Sequence, residues 1–181
     1  MNRRAPPRLL LWALPSIDAF IRRFLGIRPL AGGGVFRINY HYYRGRPFTL
    51  PDGTTISRGQ RLAEIHLDNQ RLSTGQGDIF DVTRQAKADL RLLVRRMESD
   101  SASRQIKAVH GVTVHHKAAA RLGFSPRDLH SRPLSWLTNL FLRGLLVRYH
   151  PRGRLRLQEG RNKLEAKEIW MSAGEMVRRY R

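Results

Sequence analysis

The chain has 181 residues, of which 34 are Lys or Arg and 14 are Asp or Glu, and its formal net charge is therefore +20 at pH 7. This length suits one domain, and a hydrophobic share of 41% is enough for a core. The absence of Cys from the sequence excludes disulfides, a Cys nucleophile and Cys-ligated zinc. The positive charge raises the local concentration of anions, so nucleic acid, anionic lipid and acidic polysaccharide are the partner classes to weigh.

The first residues of the chain imitate the start of a signal peptide. Arg3 and Arg4 precede an apolar run at residues 9–14, but this run ends at Pro15 and no small-residue cleavage site follows closely. No stretch of the sequence reaches the roughly 18 to 20 apolar residues that a transmembrane helix needs. We therefore expect a cytoplasmic protein that is either free or peripheral on the inner face of the membrane.

Residues 16–25 predict a basic amphipathic helix, which Ser16 can cap. Its apolar positions recur at helical spacing: Ile17, Phe20, Ile21, Phe24 and Leu25. Three Gly residues at 32–34 then predict a flexible joint, which divides the chain into a basic amphipathic N-terminal segment at 1–31 and a single α+β domain at 35–181. The helix either packs on that domain or lies on a membrane. In the second case its membrane contacts are Phe20, Arg22, Arg23 and Phe24.

The remaining elements follow one another without a regular alternation of strand and helix. In chain order we predict strands at 35–43 and 62–67, a helix at 82–97 capped by Asp81, a polar loop at 99–103, a strand at 106–114, a short helix at 117–120, a helix from 133, a hairpin near 150–157, a strand at 169–171 and a last helix capped by Ser172. This order predicts an α+β fold, with a small mixed sheet packed against several helices.

Familiar cofactor and metal motifs are absent from the sequence. The glycines at 32–34 precede a strand instead of opening a helix, and neither G-x-x-x-x-G-K-[ST] nor a dinucleotide fingerprint occurs. His110, His115 and His116 are near in sequence, but adjacent side chains of a strand point apart, so they do not form a ligand set. We therefore expect no cofactor and no metal.

The best polar constellation is the row Glu64, His66 and Asp68. These side chains share one face of a strand, while Ile65 and Leu67 face the core. A carboxylate beside His can set its tautomer for acid–base catalysis. The alternative is a solvated strand face, which is the commoner reason for such a row.

Two basic regions are candidate binding surfaces. Aromatic residues at 36, 40, 42 and 43 are interleaved with Arg37, Arg44 and Arg46, which could stack bases and hold phosphates, although alternate aromatics in a strand are usually core. A second cluster holds five arginines in a predicted hairpin: Arg148, Arg152, Arg154, Arg156 and Arg161. We expect this cluster to bind an acidic glycan or an anionic lipid surface, with nucleic acid as the less favoured partner.

Six short sequence segments, taken in their order along the chain, suggest a protein family. They lie at residues 48–54, 59–69, 109–114, 121–124, 168–172 and 179–180. In this order and spacing they resemble the YkoP-like family, over roughly residues 35–181. The resemblance implies a bacterial domain found alone or attached to polysaccharide deacetylases, and by association a link to cell-envelope glycan metabolism. It implies no catalytic residues.

The sequence thus favours a non-enzymatic accessory or binding protein that acts near the membrane surface, in envelope polysaccharide or lipid metabolism. Two alternatives stay open. One is an enzyme that uses His66 with Glu64 or Asp68, which should place His66 in a concave pocket. The other is a nucleic-acid binder, which should lose affinity steeply with salt.

Overall fold

A mixed six-stranded sheet organises the part of the chain that the computed structural model describes, namely residues 16–17, 19–20, 23–30, 34–68, 79–129, 138, 141, 144, 147 and 165–181. The elements are β1 (Arg28–Pro29), β2 (Phe36–Tyr42), β3 (Phe48–Thr49), β4 (Thr55–Ile56), β5 (Arg61–Leu67), α1 (Ile79–Ser99), α2 (Ser101–Arg104), β6 (Ile106–Thr113), α3 (His116–Arg121), β7 (Ser125–Asp128), β8 (Lys167–Ser172) and α4 (Ala173–Tyr180). The predicted combination of a mixed sheet with helices is confirmed.

The strands are ordered β1-β2-β5-β6-β8-β7, and β3 and β4 form a separate hairpin. The pair β5–β6 is parallel, whereas every other pair in the large sheet is antiparallel. Parallel neighbours need a crossover, and the chain between β5 and β6 contains α1. The long helix is therefore the connection that brings β6 beside β5.

Several local predictions differ from the structure. Helix α1 begins at Ile79, so Asp81 lies inside its first turn and pairs with Arg84 at 2.7 Å instead of capping the helix. The expected loop after α1 contains α2, because Asp100 caps it by accepting hydrogen bonds from the backbone of residues 102 and 103. Strand β7 is absent from the sequence-based predictions; it contains Pro126, which an edge strand tolerates.

Both faces of the sheet bury apolar side chains. The larger cluster lies between the sheet and the helices, and includes Ile38, Ile65, Leu90, Val109, Met171 and Met176. A smaller cluster lies on the opposite face and consists of Leu50, Ile56, Leu62, Ala108 and Trp170, with Tyr43 and Phe48 packed against it. The hairpin β3–β4 covers this second cluster, because Leu50 and Ile56 belong to it. Most of the other side chains on that face are polar.

A buried carboxylate links α1 to the start of β2. Asp89 is 3% exposed, and its Oδ2 accepts a hydrogen bond of 2.9 Å from the backbone N–H of Phe36. The carboxylate lies against Gly34, where a Cβ atom would overlap it. A residue without a side chain is therefore required at position 34 for this contact.

The N-terminal amphipathic helix is not supported as an element of the fold. Ile21 and Arg22 lie outside the described residues, whereas Phe20 and Phe24 are 68% and 79% exposed and stack on each other at 6.0 Å. Further along, Arg28–Pro29 pairs with β2, and Leu30 is fully buried in the larger cluster. None of the described helices combines the length and the apolar character required to cross a bilayer.

Candidate functional site

Alternation along four neighbouring strands places polar side chains on the sheet face that carries the smaller apolar cluster. The residues on this face are Arg37, Asn39, His41, Glu64, His66, Asp68, His110, Glu168 and Trp170. The register makes Asn39 the partner of Glu64, Glu64 the partner of His110, and His110 the partner of Trp170. Residues from β2, β5, β6 and β8 therefore meet in one row across the sheet.

Two histidines meet in this region. His41 Nε2 lies 2.7 Å from His110 Nε2, and the two rings are edge to face with centroids 5.0 Å apart. His41 Nδ1 lies 3.3 Å from the backbone carbonyl of Tyr42, which can only accept a hydrogen bond. The proton of a neutral His41 ring is thus on Nδ1, and its Nε2 lone pair faces His110, which donates.

His110 is held in its uncharged form by its surroundings. Burial first, and then the electrostatic influence of the neighbouring His41 and His66 rings, lower the pKa of His110 to about 3. One face of its ring stacks on Trp170, with centroids 4.5 Å apart and an angle of 15° between the planes. Trp170 Nε1 in turn donates a hydrogen bond of 3.1 Å to Glu168 Oε2. The imidazole is therefore oriented by an aromatic ring that is itself anchored to a carboxylate.

Glu64 completes a group of three possible ligands. One ligand atom from each of His41, Glu64 and His110 lies within 4.8 Å of the other two. Two imidazoles and one carboxylate form a donor set that suits Zn²⁺ and other divalent transition-metal ions. The hydrogen bond from His41 Nδ1 to a carbonyl is also the outer-sphere contact that commonly orients a metal-binding histidine.

An open pocket of about 390 Å³ lies next to this group. His41, His110, Glu168 and Trp170 line it, together with the segment 42–45. Of the three candidate ligands, only the two histidines are among the described lining residues. The pocket therefore opens towards the imidazoles.

The predicted row Glu64, His66 and Asp68 does share one face, but its members have different partners. His66 Nε2 lies 3.1 Å from Asn39 Oδ1 and 3.7 Å from Glu64 Oε2. Asp68 is 3% exposed and forms an ion pair with Arg37 at 2.8 Å. Of this row, only Glu64 belongs to the group with His41 and His110. The catalytic role of the row stays a prediction.

Sequence patterns alone do not identify the two histidines of the site. In the sequence His110 is near His115 and His116, which lie at the start of α3, whereas its partners in the structure come from β2 and β5. Alternation in the two strands could have placed His41 and His110 on polar faces, but only the parallel pairing of β5 and β6 brings those faces together.

The structure describes only part of the predicted binding surfaces. The arginine cluster at 148–161 and Arg22 lie outside the described residues, whereas Phe20, Arg23 and Phe24 are described and exposed. In β2 the expected burial of alternate aromatics is wrong for two residues, because Tyr40 and Tyr42 are 37% and 61% exposed. Tyr43 is instead half-buried, since it packs against the smaller apolar cluster.

Comparison with known proteins identifies the family. The YkoP domain model matches residues 7–180 of the chain. The "Uncharacterized protein YkoP" of Bacillus subtilis (strain 168) is 31% identical over 97 residues, which are 50% of this chain and 53% of that protein, so the match spans about half the length of this curated relative. No solved structure matches the chain. Because the family model covers nearly the whole sequence, the chain belongs to the YkoP domain family.

Proposed function

We propose that this chain is a metal-binding domain that takes one divalent transition-metal ion, with Zn²⁺ as the reference ion, between His41, Glu64 and His110. The observation that carries the proposal is the convergence of one ligand atom from each residue within 4.8 Å. Tetrahedral zinc with Zn–N bonds of about 2.0–2.1 Å needs nitrogens roughly 3.3 Å apart. The two Nε2 atoms, now 2.7 Å apart, would separate by about half an ångström, which small ring rotations can provide.

The protonation states also favour metal binding. A metal ion needs the lone pair of a neutral imidazole, and the lowered pKa keeps His110 neutral at pH 7. The Nε2 lone pair of His41 already points into the group, because its Nδ1–H faces a carbonyl. His110 needs only to move its proton from Nε2 to Nδ1.

Isothermal titration of the untagged, chelator-treated full chain with ZnCl₂ tests this proposal. We expect one strong site per chain, and an affinity loss of at least about tenfold in His41→Gln and in Glu64→Gln. His116→Gln is the matched control, because His116 lies in α3 outside the group. Circular dichroism verifies that each variant is folded. Unchanged zinc affinity in folded His41→Gln and Glu64→Gln contradicts the proposal.

A second function rests on a different observation: the exposed, stacked pair Phe20 and Phe24 beside the cation of Arg23. With a net charge of +20, this pair suits an accessory protein that binds an anionic membrane surface in envelope polysaccharide or lipid metabolism. Sedimentation with vesicles of phosphatidylglycerol and phosphatidylcholine tests it. Phe20→Ser with Phe24→Ser should reduce binding at least about tenfold, and Phe80→Ser, which changes an exposed Phe in α1, should not. Equal binding of all three proteins contradicts this function.

A further inference from the structure

The three-residue ligand group leaves room for a reacting ligand. Structural zinc sites are closed by four protein ligands, whereas catalytic zinc sites combine three protein ligands with water. Among the described residues the group has three members. We infer that the bound metal keeps an exchangeable water on the pocket side and hydrolyses an acyl bond of a carboxylic ester or amide, with Glu168 accepting the proton of that water. This inference rests on the metal site proposed above.

The position of the pocket locates the exchangeable water. His41 and His110 line the 390 Å³ pocket, and Glu64 is not among its described lining residues. If all three side chains bound the metal, Glu64 would hold it from the side of the sheet. A small molecule in the pocket would approach the metal between the two imidazoles. Small molecules can enter such a pocket without displacing a protein ligand.

Glu168 is the described carboxylate of the pocket that does not belong to the ligand group. It lies two residues before Trp170 on β8, and both side chains point to the polar face. Its Oε2 accepts the hydrogen bond from Trp170 Nε1, and Trp170 stacks on His110. The carboxylate is therefore positioned relative to a metal-binding ring by two direct contacts.

The reaction balances without an oxidant or a second substrate. The metal lowers the pKa of its bound water, which transfers one proton to Glu168. The resulting hydroxide oxygen forms a bond to the acyl carbon, and the metal stabilises the charge that develops on the carbonyl oxygen. The bond from the acyl carbon to the alcohol oxygen or amine nitrogen then breaks, and the leaving group takes the proton from Glu168. The products are a carboxylic acid and an alcohol or amine.

The ligand set favours an acyl substrate over a phosphate ester. Two histidines and one carboxylate around a single zinc are a ligand set of enzymes that cleave acyl bonds, whereas many phosphoester sites use two metal ions about 3.5–4 Å apart. We therefore assign the acyl class.

The exchangeable position is tested without a substrate. In the Co²⁺-loaded full chain, addition of azide should shift the visible absorption bands, because azide replaces the water. Glu168→Gln should keep Co²⁺ and the azide response. A spectrum that azide leaves unchanged, as expected for a metal closed by a fourth protein ligand, overturns the inference and leaves the metal site intact.

Hydrolysis is tested with p-nitrophenyl acetate and the Zn²⁺-loaded chain, and bis(p-nitrophenyl) phosphate is the phosphoester arm. We expect zinc-dependent ester cleavage that falls about 10²- to 10⁴-fold in Glu168→Gln, with zinc affinity within about threefold of the unsubstituted chain. Glu165→Gln, an exposed change just before β8, should retain the rate. No zinc-dependent ester cleavage, cleavage of the phosphoester alone, or an undiminished rate in Glu168→Gln each overturns the inference. Loss of zinc binding itself would instead refute the proposed metal site.

Discussion

His41 and His110 are joined by a contact of 2.7 Å between their Nε2 atoms, although 69 residues separate them in the chain. Their strands are not neighbours, because β5 lies between β2 and β6. Strands two positions apart are separated by roughly 9.5 Å, so each side chain must lean over β5 to reach the other. Without a metal ion, each ring satisfies a polar atom of the other.

Zinc should stabilise the folded chain through this pair. At a free concentration of 100 times its dissociation constant, a ligand that binds only the folded state adds about 2.7 kcal/mol to the free energy of unfolding. We expect urea unfolding to show this gain for the unsubstituted chain and for His116→Gln, and to show little of it for His41→Gln. A gain of the same size in His41→Gln would place the bound ion elsewhere.

Gly34 and Asp89 should be sensitive to small changes. Gly34→Ala places a methyl group against the Asp89 carboxylate, and we expect it to lower the free energy of unfolding by about 1–3 kcal/mol. Asp89→Ala removes the acceptor of the Phe36 N–H and should cost about 1–3 kcal/mol or more. Asp81→Ala is the control, because Asp81 forms only an exposed ion pair with Arg84. Urea unfolding measures the free energy of unfolding of the three variants. If Gly34→Ala and Asp89→Ala are as stable as Asp81→Ala, the contact between Asp89 and the start of β2 does not stabilise the fold.

Ser172 should contribute to stability as a helix cap. Its Oγ accepts a hydrogen bond of 3.0 Å from the backbone N–H of Glu175 and donates one to Asp52. Ser172→Ala should therefore lower the free energy of unfolding by about 0.5–2 kcal/mol. Ser172→Thr, which keeps the hydroxyl group, should lose less. A larger loss in Ser172→Thr than in Ser172→Ala would show that packing, not capping, dominates at this buried position.

Asp52 should make stability depend on pH in acid. The slight burial of its carboxyl group alone would raise the pKa of Asp52, but the hydrogen bonds from Ser172 and Thr54 and the charge of Arg178 outweigh this effect and lower the pKa below 3.8. The carboxylate therefore stabilises the fold above pH 3.8, and this contribution is lost as the pH falls through the lowered pKa. Because Asp52 is exposed to solvent, Asp52→Asn should cost only a few tenths to about 1 kcal/mol at pH 7.

The pH series itself is the measurement. Urea unfolding should give the same difference between Asp52→Asn and the unsubstituted chain at pH 7 and pH 5, and a smaller difference near pH 3. A difference that grows towards pH 3 would mean that folding raises the pKa of Asp52, contrary to this prediction.

Within the predicted row Glu64, His66 and Asp68, we expect Asp68 to serve the stability of the fold. Asp68 is buried against Arg37, so Asp68→Ala leaves a partly buried cation without this partner and should cost about 3 kcal/mol. Arg37→Met with Asp68→Leu removes both charges and should recover part of that loss. The unfolding temperatures of Asp68→Ala and of the double variant are compared. If the double variant is no more stable than Asp68→Ala, the ion pair is not the reason for the burial of Asp68.

Local patterns in the sequence determined most of the elements. The helical spacing of Ala86, Leu90 and Met97 predicted α1, and the alternation from Leu62 to Leu67 predicted β5, because burial selects apolar residues at the period of each structure. The capping pair Ser172 and Glu175 likewise marked the start of α4. Net charge and the absence of Cys also needed no structure.

The candidate site was decided by tertiary structure alone. Whether His41 meets His110 depends on the order of the strands, and that order depends on a crossover through α1 that no short-range pattern encodes. Alternation in the strand predicts that Glu64, His66 and Asp68 share one face. It does not predict which of these three side chains lies close to a possible ligand on a neighbouring strand. Sequence periodicity defines the face of a strand, whereas long-range packing defines its neighbours, and a site built across three strands requires both.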